Sequence, residues 1–168
     1  MAHRIGIVGL GFMGRAHFDI YGSLDAAEVV AICDVDPRKR KGDGSSIGGN
    51  VGEADAAKVD LSGMHTTAKL DDLLANDDID VIDVTTPTDT HAEIVIAALE
   101  AGKHVICEKP MARSSVEARA MVAAAKAAKG RLFVAHCIRF WGQYAAAREM
   151  IRSKRYGKVV SAVFQRLS

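Results

Sequence analysis

The sequence predicts an α/β protein built on a doubly wound, parallel sheet. Three observations support this fold class. Apolar, β-branched segments alternate with segments of helical periodicity, and a glycine-rich turn joins the first strand to the first helix. The run at 80–84 is continuous in β-branched apolar residues apart from Asp80 and Asp83, which is typical of a strand buried on both faces of a parallel sheet.

The individual elements follow from periodicity and from capping residues. Strands are predicted at 4–8, 28–33, 64–67, 80–84, 104–107, 132–136 and 159–167, and helices at 15–24, 70–74, 92–101, 115–129 and 143–153. Two capping boxes, Thr90 with Glu93 and Ser114 with Glu117, mark helix starts. Six glycines between 42 and 63 oppose a helix, so this segment is predicted to be a long surface loop.

The first strand runs directly into a G-x-G-x-x-G motif. Its first glycine permits a tight turn, its second lets a pyrophosphate approach the backbone, and its third lets the helix pack against the strand. The helix N-terminus then offers unpaired N–H groups and the positive end of its dipole to phosphates. The strand–turn–helix context therefore predicts a dinucleotide site. The candidate cofactor-binding residues here are Gly9, Gly11, Phe12, Met13 and Gly14.

Asp34 ends the second predicted strand and follows Gly14 by 20 residues, close to the spacing at which a carboxylate binds the adenosine ribose. The basic run 38–41, beginning with Arg38, has two interpretations. It could bind the 2′-phosphate of NADP, or it could be a solvated helix start beside the adenine pocket. Because Asp34 would repel a 2′-phosphate, the sequence favours NAD over NADP.

Bulk composition excludes several function classes. The formal net charge is +1, so no nucleic-acid partner is expected, and no apolar run is long enough to predict a membrane span. The three cysteines are widely spaced without a C-x-x-C pair, which favours a reducing compartment and a cytoplasmic location. Four of the histidines lack the spacing of metal ligands and are interpreted as structural, so no metal site is expected. They are His3, His17, His65 and His104.

Polar clusters follow the predicted strands at the point where each strand ends. Thr86 and Pro87 follow the strand at 80–84, and a Glu108-Lys109-Pro110 turn follows the strand at 104–107. In a doubly wound sheet, ligands bind beyond the carboxyl ends of the strands. We therefore expect these clusters to converge with Asp34 on one edge of the sheet.

Taken in order, these motifs resemble the Gfo/Idh/MocA oxidoreductases, the group of glucose–fructose oxidoreductase and inositol dehydrogenase. The matching features are the glycine motif, Asp34, Thr86-Pro87-x-x-x-His91, Glu108-Lys109-Pro110 and His136-x-x-Arg139-Phe140-Trp141. The resemblance implies a Rossmann domain that binds NAD or, less favoured, NADP. It also implies a sugar, polyol or related hydroxy compound as the substrate.

The resemblance assigns roles to single residues. Lys109 would be the active-site lysine, near the nicotinamide ribose and the substrate hydroxyl, and would relay a proton or stabilise a developing alkoxide while hydride moves to nicotinamide C4. Lys109 and Glu108 therefore also count among the candidate cofactor-binding residues. Glu108 would orient Lys109 as its ion-pair partner, and Thr86 and Pro87 would abut the nicotinamide. His91 would line the pocket nearby, with a solvent-facing helix start as the alternative. The Lys109–Pro110 bond is a candidate cis peptide.

Arg139 and Trp141 would lie toward the substrate cleft, although a surface loop is an alternative for both. The family continues into a second α/β domain that supplies most of the substrate surface. We therefore expect a cofactor-binding domain at 1–140, and at 141–168 a junction helix and the first strand of a truncated second domain. That last strand, at 159–167, would leave an unpaired edge, so the tail is expected to be disordered, to fold back, or to pair with a second copy in a homo-oligomer or with a partner chain.

The sequence bears on two further function classes. A non-catalytic dinucleotide-binding sensor or regulator acting through a partner is the main alternative. A short-chain dehydrogenase is excluded because the chain has no Tyr-x-x-x-Lys pair; Tyr144 is followed at that spacing by Arg148.

Overall fold

The computed structural model describes residues 2–45 and 58–165, which form two compact units, 1–135 and 136–168. The predicted loop at 42–63 lies largely outside the described residues. Within the described part of the chain, no helix is long and apolar enough to cross a membrane.

The first unit contains a parallel sheet, as predicted. Among the described residues its strands are β1 (His3–Val8), β2 (Ala27–Cys33), β3 (His65–Thr67), β4 (Val81–Val84), β5 (His104–Cys107) and β6 (Leu132–Val134). Their order across the sheet is β3-β2-β1-β4-β5-β6, and each neighbouring pair is parallel. The order reverses between β1 and β4, which is the switch point of a doubly wound sheet.

Helices cover both faces of this sheet. They are α1 (Phe12–Tyr21), α2 (Leu70–Leu74), α3 (His91–Glu100) and α4 (Ser115–Ala127), with short 3₁₀ turns at Lys39–Lys41 and Thr88–Thr90. Strand side chains alternate between two hydrophobic clusters, one with α1 and one with α2, α3 and α4. In β1, for example, Ile5 and Ile7 belong to the α1 cluster, whereas Val8 belongs to the other.

The structure corrects two predictions about where and how helices begin. α1 begins at Phe12 rather than at residue 15, because Gly11 already has the extended backbone of an N-cap. The capping box of Ser114 and Glu117 is present, but the box predicted for Thr90 and Glu93 is wrong. The Thr90 hydroxyl instead bonds Thr86 Oγ1 at 2.7 Å and donates to the Pro87 carbonyl at 2.8 Å.

The second unit contains a 3₁₀ turn at Cys137–Phe140 and helix α5 (Gly142–Ser153). The strand predicted at 159–167 is not formed in the described residues 159–165, which have no regular secondary structure. Val160 and Val163 are 95% and 81% exposed. A strand needs a neighbour to satisfy its backbone groups, and this segment pairs with none of the described strands.

Candidate functional site: a dinucleotide site at the carboxyl edge of the sheet

The glycine motif lies between β1 and α1, and two of its glycines are required by close backbone packing. Gly9 has a φ of +94°, and a Cβ there would lie 2.9 Å from Thr86 Cγ2. A Cβ at Gly14 would lie 2.0 Å from the Gly9 carbonyl oxygen, which also accepts a hydrogen bond from Thr85 Oγ1 at 2.7 Å. These contacts hold the start of α1 against the ends of β1 and β4.

Gly11 is different, because a Cβ there would meet no atom within 4 Å. Packing within the chain therefore does not require glycine at this position. The open space lies at the N-cap of α1, whose first turn holds no acidic residue and no side-chain cap. Unpaired N–H groups and the positive end of the helix dipole favour an anion here. The geometry fits a pyrophosphate approaching the bare backbone.

The side chain of Asp34 links the glycine turn to the end of β2 through hydrogen bonds. The carboxylate is 7% exposed, and its two oxygens accept from the Leu10 backbone N–H at 2.7 Å and from the Asp36 backbone N–H at 2.8 Å. The Lys39 ammonium is 3.7 Å from the same Oδ2 atom that binds Leu10. The sequence predicted Asp34 at this edge, and the structure brings it into contact with the glycine motif.

Arg38 is paired with a carboxylate on its own turn. Its guanidinium donates to Asp36 at 2.8 and 3.2 Å, and its backbone N–H donates to Asp36 Oδ1 at 2.9 Å. The side-chain and backbone hydrogen bonds from Arg38 lower the pKa of Asp36 to about 2. Arg40 turns inward, donating to the carbonyl oxygens of Asp34 and Val35 at 2.7 and 3.0 Å.

His91, the first residue of α3, is 1% exposed and does not line an open pocket. Its Nε2 lies 2.9 Å from the Thr86 carbonyl oxygen, and its Nδ1 lies 3.0 Å from the Pro110 carbonyl oxygen. A neutral imidazole carries one N–H and donates to only one of the two. The ring therefore links the turn after β4, with Pro87, to the turn after β5.

The Glu108-Lys109-Pro110 turn follows β5, and the Lys109–Pro110 bond is cis, as the sequence analysis anticipated. Glu108 is 6% exposed, and its Oε2 accepts from the Lys109 backbone N–H at 2.8 Å. The expected ion pair between the two side chains is not formed. Lys109 is exposed, and its ammonium makes no hydrogen bond or ion pair within residues 2–45 and 58–165.

Sequence reasoning missed a buried cluster beneath this turn. His17 on α1 lies between two carboxylates, with Nδ1 2.8 Å from Asp83 Oδ2 and Nε2 3.2 Å from Glu108 Oε1. The Tyr21 hydroxyl donates to Asp83 Oδ2 at 2.9 Å. The signal was an acidic residue in the apolar strand β4, combined with His17 and Tyr21 one helical turn apart.

The cluster changes the ionisation of its members. Burial alone would lower the pKa of His17, but the hydrogen bonds and charges of Asp83 and Glu108 outweigh burial and raise it. Burial, together with the charge and hydrogen bond of Asp83, raises the pKa of Tyr21. Tyr21 therefore stays a neutral donor to a carboxylate that is itself 0% exposed.

The remaining predicted residues lie in the second unit. Arg139 belongs to the Cys137–Phe140 turn, and Trp141 is the N-cap of α5. Trp141 is 44% exposed, and its ring lies 6.4 Å from the Tyr144 ring.

Comparisons with known proteins agree with the geometry of the first unit. Residues 3–136 match the model of the oxidoreductase family with the NAD-binding Rossmann fold, Gfo/Idh/MocA. The chain is 33% identical to levoglucosan dehydrogenase of Pseudarthrobacter phenanthrenivorans, over 94% of this chain and 39% of that protein. It is 36% identical to inositol 2-dehydrogenase 3 of Saccharopolyspora erythraea, over 89% of this chain and 40% of that protein.

Solved structures show the same relationship. The WlbA dehydrogenase from Bordetella pertussis, in complex with NADH and UDP-GlcNAcA, is 28% identical with a TM-score of 0.78. The match covers 94% of this chain and 44% of that one. The chain thus spans about two fifths of the length of the relatives it matches. With its glycine motif, parallel sheet and matching model, the chain belongs to the Gfo/Idh/MocA family of oxidoreductases with an NAD-binding Rossmann fold.

Proposed function

We propose that this chain is the cofactor-binding part of an NAD-dependent oxidoreductase that acts on a sugar, polyol or related hydroxy compound. The observation that carries the proposal is the convergence of the glycine turn, Asp34 and the Lys109 turn on the carboxyl edge of one parallel sheet. Relatives named as dehydrogenases of levoglucosan and inositol support the substrate class. In domain terms, 1–140 would bind the cofactor and 141–168 would begin a second domain.

Each candidate residue has a role in this proposal. The open backbone at Gly11, flanked by Phe12 and Met13, receives the pyrophosphate, and Asp34 binds the adenosine ribose. Thr86 and Pro87 flank the nicotinamide ring, which supplies the hydride acceptor when NAD is bound. His91 has an indirect role: its buried ring holds the turn after β4 and the turn after β5 together.

Lys109 is the proposed proton relay. Its ammonium is exposed at the carboxyl edge, and Glu108 does not hold it in an ion pair. It is therefore available to donate a hydrogen bond to a substrate hydroxyl and to take up or release a proton at that oxygen. An ammonium at this place also stabilises negative charge that develops on the substrate oxygen.

We propose NAD rather than NADP because of the charges around the ribose position. Asp34 presents a buried carboxylate, which would repel a 2′-phosphate. Arg38, the residue of the basic run considered for that phosphate, is already paired with Asp36, and the Lys39 ammonium lies 3.7 Å from the Asp34 carboxylate. An Asp34→Ala variant should therefore lose about tenfold in NADH affinity, equivalent to one hydrogen bond to a charged group, and discriminate less against NADPH. An unchanged preference would remove Asp34 as the selector.

The proposal is tested by calorimetric titration of the chain with NADH and, separately, with NADPH. Saturable binding of NADH and weaker binding of NADPH are expected. In a parent protein that oxidises a polyol with NAD, Lys109→Met should lower kcat much more than it changes NADH affinity. Full kcat in that variant would show that Lys109 is not the proton relay, whereas a wild-type parent protein that binds NADH but turns over no polyol would favour the non-catalytic alternative. A folded chain that binds neither nucleotide would overturn the proposal.

A further inference from the structure

The buried cluster under the Lys109 turn joins three elements of the first unit. His17 comes from α1, Asp83 from β4, and Glu108 from the end of β5. Among the described residues, no group of three or more His, Cys, Asp and Glu side chains could hold a metal ion. Metal binding therefore does not explain why these groups are buried together.

We propose that His17 is a positioning residue, which holds Glu108 so that Glu108 in turn fixes the turn carrying Lys109. The inference rests on the proposed role of Lys109 and extends it to a residue that does not touch the cofactor or the substrate. It follows from three contacts: His17 Nε2 to Glu108 Oε1 at 3.2 Å, Glu108 Oε2 to the Lys109 backbone N–H at 2.8 Å, and His17 Nδ1 to Asp83 Oδ2 at 2.8 Å.

Charge balance makes His17 the centre of the cluster. Carboxylate oxygens face both ring nitrogens, so both bonds form only when each nitrogen carries a proton. Asp83 is 0% exposed, and its Oδ1 has no hydrogen-bond partner, so a cation beside it offsets the cost of burying its charge. The other group facing Asp83 is the neutral hydroxyl of Tyr21. The hydrogen bonds and charges of the two carboxylates also raise the pKa of His17, which is the direction that favours the protonated ring.

The same geometry explains why Lys109 is left unpaired. Glu108 uses one oxygen for His17 and the other for the Lys109 backbone N–H. Without His17, the Glu108 carboxylate would lose its cationic partner and could turn toward the Lys109 ammonium. That ion pair would occupy the group proposed to relay the proton. His17 thus keeps Glu108 on the backbone and the ammonium free.

Two substitutions separate this role from a merely structural one. In His17→Gln, the amide nitrogen can reach the position of Nε2 and keep the bond to Glu108; in His17→Asn, it can reach the position of Nδ1 and keep the bond to Asp83 instead. Each variant retains one hydrogen bond and loses the positive charge, so the two form a matched pair. Thermal unfolding gives the structural cost of each.

The readout is the rate at which a small acylating reagent labels Lys109, measured by mass spectrometry of its peptide, with Lys109→Arg as the blank. We expect His17→Asn to lower this rate about tenfold from wild type, because Glu108 then pairs with the ammonium, and His17→Gln to stay much closer, because only Gln keeps Glu108 in place. A faster rate in His17→Asn would also contradict the proposal. Equal labelling in the two variants at similar stability would overturn the proposal.

A measurement on the unmodified chain covers the case in which neither variant folds. ¹⁵N NMR of the His17 ring at pH 7 should show both nitrogens protonated, and a neutral ring would overturn the proposal. NADH titration of the wild-type chain is run alongside. A chain that fails to bind NADH but shows the expected His17 and Lys109 behaviour would count against the proposed function and not against this inference.

Discussion

At the scale of single residues, the three motif glycines serve different needs. Gly14 is fixed by its own chain, since a Cβ there would overlap the Gly9 carbonyl. Gly11 has no such neighbour, so a side chain there would cost the fold little. The two positions therefore separate packing from ligand binding within one motif.

Substitution at these two glycines should give opposite results. Gly11→Val should leave the free energy of unfolding nearly unchanged and abolish NADH binding, because the side chain fills the approach of the pyrophosphate. Gly14→Ala should destabilise the chain by about 3 kcal/mol or more, because backbone would have to move. Urea unfolding and NADH titration of both variants check this, with Gly22→Ala, whose Cβ has no contact under 3.5 Å, as control. NADH binding by Gly11→Val would contradict the assignment of the site.

His17 should make stability depend on pH. Its pKa is raised in the folded chain above the ordinary value of 6.5, so its contribution is complete below that value and is lost as pH rises through the folded pKa. The free energy of unfolding should therefore fall with rising pH in the range above 6.5. In His17→Gln this slope should be absent, and an equal slope in both proteins would assign it to another group.

At the scale of elements, boundaries depend on side-chain hydrogen bonds that sequence patterns indicate only partly. Ser114 and Glu117 form their capping box because Ser114 has extended backbone. Thr90 has the same motif, but its backbone is already helical at the end of a 3₁₀ turn, so its hydroxyl bonds back to Thr86 and Pro87. The pattern of a threonine followed by a glutamate does not distinguish these backbones.

The cap of α4 gives a stability prediction. Ser114→Ala should lower the free energy of unfolding by about 1 kcal/mol, because the Glu117 N–H loses its acceptor. Ser115→Ala, one residue later on the exposed helix surface, serves as the matched control and should change stability little. Chemical denaturation measures both, and equal effects would show that the cap contributes nothing.

At the scale of the whole molecule, the parallel sheet and the edge that holds the site were predictable from sequence. An apolar run followed by a polar residue indicates a strand end, as at Asp34. Because the strands are parallel, the polar residues at their carboxyl ends then lie at the same edge of the sheet. Contacts that depend on side-chain direction were not predictable. The sequence indicates His91 as a pocket residue and His17 as structural, yet His91 lies buried between two carbonyl oxygens and His17 lies between two carboxylates beneath the Lys109 turn. The segment 159–165 does not form the predicted strand, because it pairs with none of the described strands.

The division into two units predicts how the chain responds to truncation. All candidate cofactor residues lie in 1–135, so a chain ending at residue 135 should keep the NADH affinity of the full chain. A chain ending at residue 131 also loses β6 and should unfold at lower temperature, since β5 would keep only β4 as a neighbour. Sedimentation at several concentrations tests whether the exposed valines at 159–165 cause self-association. Loss of NADH binding in the 135-residue chain would show that the second unit completes the site.

The strand order has a consequence for how the protein is made on the ribosome. β1 is synthesised first but lies in the middle of the sheet, between β2 and β4. Its second neighbour, β4, ends only at Val84, and the turn with Lys109 emerges later still. The nascent chain must therefore carry an apolar strand with one unprotected edge until Val84 has emerged, a period in which holding chaperones would have most to bind.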